Sequence, residues 1–158
     1  MARVYVAAGG GGVWSLHAKR KRNFACLRYA VEFHNIARKA GFPIIRAFLL
    51  GQAIELYLKA FLFHQGYGET QLKKRPFGHK LPRLLNEAAA KGLDTNIHIS
   101  PALRTDLDSL NKVYSSKALQ YFSILYLIAT PTLPKLARLF RFADRLNRYL
   151  VGLIREPA

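Results

Sequence analysis

The sequence predicts an all-α fold of about five helices, and three observations carry that prediction. The stretch from Ile44 to Phe63 is apolar on nearly every side, as a helix at the centre of a bundle must be. Leu103, Leu107, Leu110 and Tyr114 recur at helical spacing, and so do Leu136, Leu139, Phe142, Ala143, Leu146, Leu150 and Leu153. Glycine and proline punctuate these runs at Gly41, Pro43, Gly66, Gly92, Pro101 and Pro134. With 158 residues, 51% of them apolar, the chain is sized for one domain that buries a core without metals or disulfides.

Residues 1–18 join a short β-like run to four consecutive glycines, so a flexible glycine-rich arm is expected there, followed by a helical domain over residues 19–156. Those glycines lack the lysine and spacing of a phosphate-binding loop, and they interrupt the apolar run that a secretion signal needs. Lys19-Arg20-Lys21-Arg22 forms a basic hinge before a first helix from about Asn23 to Lys39. Cys26 is expected in the core of that helix. Gly41-Phe42-Pro43 then turns the chain back, which makes the first two helices antiparallel.

The second helix carries Gln52, Glu55 and Lys59 within an arc of about 60°, a polar stripe on an otherwise buried surface. Residues 69–78 are predicted as a basic loop containing Arg75, and a third helix follows from about His79 to Lys91 with Pro82 in its first turn. Ser100 and Pro101 cap and open the fourth helix. Residues 118–130, rich in Tyr, Phe and Ile, fit an extended segment or a helical continuation by periodicity, and an ordered extended connection is the expectation. The last helix starts near Thr132, with Thr132 as cap, and reaches about Ile154. Arg138, Arg141, Arg145 and Arg148 occupy about 80° of its circumference, opposite the apolar side, and only Asp144 offers a nearby counter-charge.

There are 25 Lys and Arg against 9 Asp and Glu, a net charge of +16. Such a balance selects polyanionic partners, with RNA or another nucleic acid first, because dispersed cations release counterions from phosphates. An anionic membrane surface or an acidic protein is the alternative partner. No apolar run is long enough to span a bilayer. A single cysteine excludes an internal disulfide and suits a reducing, cytoplasmic compartment. His17, His34, His64 and His98 have no metal-ligand spacing, so neither metal nor cofactor is expected.

Ala53-Ile54-Glu55-Leu56-Tyr57-Leu58-Lys59-Ala60 resembles the second-helix signature of HEPN-domain proteins. Gly78-His79-Lys80-Leu81 with Leu84-Leu85 is similar to the start of that family's third helix, and Leu110-Asn111 with Tyr114, Lys117 and Tyr121 to the segment leaving its fourth. The resemblance spans about residues 23–154. It implies an up-and-down bundle, homodimerisation, association with RNA or nucleotides, and a toxin–antitoxin or defence setting with a possible antitoxin partner. Many family members are metal-independent ribonucleases using an arginine followed by four to six residues and a histidine. The nominal match here, Arg28 to His34, lies within the first helix with the side chains about 120° apart, and Arg75 is too close to His79.

Two readings of the polar stripe follow. In one, Gln52, Glu55, Lys59, His79, Asn111, Tyr114 and Lys117 line a cleft, and His79 with Glu55, Lys59 and Arg75 supplies the base, acid and cation for attack by an RNA 2′-hydroxyl. In the other, Glu55 and Lys59 satisfy each other inside the bundle and His79 is a hydrogen-bonding group at a helix start. The expected function is nucleic-acid binding through Arg75, Arg138, Arg141, Arg145 and Arg148. A ribonuclease centred on His79 and a non-enzymatic interaction module are the alternatives.

Overall fold

The computed structural model describes residues 15–74, 76–115 and 132–157. Those residues form seven helices and no strand: α1 (Leu16–Lys39), α2 (Pro43–His64), α3 (Glu69–Lys73), α4 (Leu81–Ala90), α5 (Leu93–Asn96), α6 (Pro101–Tyr114) and α7 (Leu136–Leu153). The five long ones are the expected helices, and α3 and α5 are short additions. Arg75, Lys117, the connection at 118–130 and the glycine-rich run of the expected arm lie outside the described residues.

The apolar character of α2 has the predicted outcome. Ala47, Leu50, Ala53, Ile54, Tyr57, Leu58, Phe61 and Leu62 are at most 1% exposed, and α2 packs against α1, α4, α6 and α7. Each large side chain buried in this way contributes roughly 1.5–3 kcal/mol relative to exposure. The other helices lend one stripe each, as with Leu103, Leu107, Leu110 and Tyr114 on α6, or Leu139, Phe142, Ala143, Leu146 and Leu150 on α7.

Several boundaries differ from expectation, each for a local reason. The first helix begins at Leu16 rather than near Asn23, because Ser15 Oγ accepts the Ala18 N–H at 3.1 Å. The basic tetrad is therefore helical and not a hinge. Its Arg22 guanidinium lies 4.0 Å from the Phe63 ring centroid and bonds the Tyr67 carbonyl at 3.4 Å, which ties the extension to the end of α2. Part of the expected 69–78 loop is the short α3, anchored by buried Leu72 and by a bond from the Gly68 N–H to Gln71 Oε1 at 3.1 Å. Helix α4 opens at Leu81, not His79. Gly78, at φ +46°, turns the chain so that His79 precedes the helix, and Asn111 Oδ1 accepts the Leu81 N–H at 3.0 Å. Helix α7 opens at Leu136 after Lys135, so Thr132 does not cap it.

Candidate functional site

Glu55 is the most deeply buried charge of the polar stripe, with its side chain 4% exposed. An isolated carboxylate could not persist there, and three donors compensate it. Lys59 Nζ donates to Oε1 at 2.6 Å from the next turn of α2, the Tyr114 hydroxyl donates to Oε2 at 2.6 Å from the end of α6, and His79 Nδ1 lies 3.0 Å from Oε2. A carboxylate only accepts, so the His79 contact needs the proton on Nδ1. Burial, and next the Glu55 charge, push the Tyr114 hydroxyl well above its ordinary range, which keeps it a neutral donor.

The structure thus brings Glu55, Lys59, His79 and Tyr114 together. Asn111 stands beside them but serves the Leu81 amide. Gln52 makes no hydrogen bond to the group among the described residues, although its register on α2 is that of the stripe. The cluster is mutually satisfied at its centre and open at one edge: Lys59 is 12% exposed, whereas the His79 side chain is 56% exposed. His79 Nε2 has no protein partner among the described residues, so this imidazole is open to a ligand at that nitrogen.

One contributor carries no chemistry and escaped the sequence reading. A Cβ built on Gly51 would lie 2.7 Å from Cδ2 of Tyr114. The glycine in mid-helix therefore admits the tyrosine ring against α2 and lets its hydroxyl reach Glu55. The signal was a lone glycine inside an otherwise bulky apolar run.

A second polar group lies where α1, α2 and α7 meet. His34, 3% exposed, has Nδ1 3.2 Å from the Tyr57 hydroxyl, and its Nε2 is 3.5 Å from Asp144. Burial holds the His34 pKa below its ordinary value, against the pull of Asp144, so the ring is neutral and Asp144 takes its ion pair from Arg38. The nominal Arg28–His34 spacing thus ends on a histidine packed into the bundle, stacked on Phe140 at 5.9 Å. Cys26 is also buried; its Sγ donates to the Leu56 carbonyl at 3.4 Å and burial pushes the thiol up to about 12, so it is not a nucleophile at neutral pH.

The four arginines of α7 do not form one equivalent stripe. Arg138 is bound to Asp106 and to the Ala102 carbonyl of α6, and so is less available to a polyanion than its position on the helix suggests. Arg141 and Arg148 are exposed, Arg145 is partly buried, and none of these three forms an ion pair among the described residues. Asp144, the expected counter-charge on their own helix, faces Arg38 instead.

The family model for the HEPN domain matches residues 26–126, a span that includes most of α1 and all of α2 to α6 and leaves α7 beyond it. No curated protein and no solved structure shows a significant match. HEPN domains are helical domains associated with nucleotides and RNA. The match covers more than half of the chain and falls on an all-α bundle whose central helix bears the Glu55 and Lys59 signature, so the chain belongs to the HEPN domain family.

Proposed function

We propose that this HEPN domain binds RNA through basic surfaces, chiefly the exposed side of α7, as a homodimer in a toxin–antitoxin or defence setting where an antitoxin or other partner protein restrains it. The observation that carries the reading is the uncompensated charge: with a net charge of +16, only Arg38, Lys59, Lys73 and Arg138 among the described Lys and Arg residues reach a carboxylate. Arg141 and Arg148 stand seven residues apart on one side of α7, about two helical turns, a spacing at which a phosphate backbone meets both. Titration of labelled RNA with the purified chain at a series of salt concentrations tests this. Affinity should fall steeply with salt, and affinity that is flat in salt would refute the reading.

A second reading is favoured by His79 specifically. An exposed imidazole whose Nδ1 is held by a buried carboxylate is arranged as a general acid or base, with Nε2 to exchange the proton and Lys59 beside it. This would make the protein a metal-independent ribonuclease of non-standard type. Incubation of labelled RNA with the protein in excess chelator separates the two readings. Cleavage that His79→Ala abolishes supports the enzyme, and cleavage that survives the substitution excludes His79 as its centre.

A further inference from the structure

We propose that the recess between the α5–α6 loop and α7 is a subsite for one unpaired nucleotide of RNA, which makes the protein selective for single strands over duplex; the inference rests on the RNA-binding reading above. The recess has a volume of about 300 Å³ and is lined by Asn96, Ile97, His98, Arg145, Arg148 and Tyr149. That volume is at the small end of the roughly 300–1,000 Å³ of ligand pockets, the scale of one nucleotide and not of a double helix.

Its lining supplies the three kinds of group such a ligand needs. Arg145 and Arg148 sit about one turn apart on α7, with no carboxylate in the lining to neutralise them. Arg145 is half-buried at the edge of the recess and makes no ion pair among the described residues. The guanidinium groups of Arg145 and Arg148 suit a phosphate oxygen. Tyr149 and His98 offer ring faces for a base, and Tyr149 is steadied by Phe61, its ring centroid 6.4 Å away at 43°. The Asn96 amide nitrogen is already bonded to the Gly92 carbonyl at 3.2 Å and to Thr95 Oγ1 at 3.0 Å. Its carbonyl oxygen makes no hydrogen bond among the described residues and is an acceptor for an exocyclic amino group. Bases in an A-form duplex are stacked and paired and cannot leave the helix to enter such a recess, whereas an unpaired base can.

The test is fluorescence anisotropy of the full chain with an unstructured RNA oligonucleotide and with a blunt RNA duplex of equal length. Tighter binding of the single strand is expected, by about 10-fold, the worth of one stacked base. Tyr149→Ala should remove that preference and leave duplex affinity unchanged, while Tyr149→Phe should retain it. His98→Ala, in an exposed loop position that the core does not need, should reduce the preference even if Tyr149→Ala proves unstable. Equal affinity of the wild-type chain for the two RNAs, or a preference that survives both alanine variants, overturns the subsite and leaves the RNA-binding reading intact. Failure to bind either RNA overturns both.

Discussion

Glu55 shows how a single charged residue can be tolerated at the centre of an apolar helix, because its partners come from α2, α6 and the turn before α4. Glu55→Gln keeps the shape and removes the charge, which leaves the Lys59 ammonium uncompensated at 12% exposure. A loss of about 3 kcal/mol is expected in urea unfolding, and the double variant Glu55→Gln with Lys59→Met should recover part of it. Gly51→Ala is expected to destabilise by about 1–3 kcal/mol despite the better helix propensity of alanine, because the new methyl group meets the Tyr114 ring at 2.7 Å. Thermal unfolding of the variant measures it. His34 gives a pH dependence. Its folded pKa lies below the ordinary 6.5, so the unfolded chain takes up the proton first as pH falls. Its contribution is complete above pH 6.5 and is lost below it, so stability should rise with pH through the acid range, and His34→Gln should flatten that slope in urea titrations at successive pH values. At this scale the sequence marked Glu55 and Lys59 through helical spacing, and His79 through the resemblance. It could not show that Tyr114 would reach Glu55, since the two are 59 positions apart and meet only once α6 packs on α2.

Helix α7 combines the strongest amphipathic pattern of the chain with a position outside the family match. Periodicity predicted the helix and the side its arginines share, but not their separate fates. That division depends on Asp106, 32 positions away on α6, which pairs with Arg138. A contact of that kind is invisible to any pattern within one helix. The division has a measurable counterpart: Arg141→Ala with Arg148→Ala should lower the slope of log affinity against log salt for single-stranded RNA by about 1.4, two contacts at about 0.7 each. Arg138→Ala should leave the slope unchanged and instead cost about 1 kcal/mol of stability through the loss of its pair with Asp106. Equal effects of the three substitutions on the slope would contradict the division. Boundaries were less legible than helices for a related reason. Ser15 as cap and Leu72 as anchor are single residues whose effect depends on neighbours that the local pattern does not contain.

The whole molecule carries far more positive charge than its own carboxylates neutralise, and Glu55, Asp106 and Asp144 are engaged in ion pairs inside or at the seams of the bundle. Self-repulsion is the consequence, and a bound polyanion relieves it. RNA supplied at about 100 times its Kd should therefore add about 2.7 kcal/mol, read as a melting temperature raised by about 5–10 °C. Simple salt at equal ionic strength should produce a smaller shift. The all-α class, the central helix and the net charge were all legible because each is a property summed over many residues, so that no single contact decides it.

The link between Arg38 and Asp144 has a consequence in time as well as in space. It joins α1 to α7 across 106 positions of sequence, whereas α1 and α2 meet through a turn of a few residues. Closing the short loop costs less entropy than closing the long one, so the α1–α2 hairpin is expected to form early and α7 to dock late. Truncating the α7 seam with Leu146→Ala should therefore speed unfolding while leaving the refolding rate nearly unchanged, and Leu58→Ala on α2 should slow refolding. In stopped-flow experiments α7 would behave as the latch that sets how long the folded molecule lasts, while α2 sets how quickly it is made.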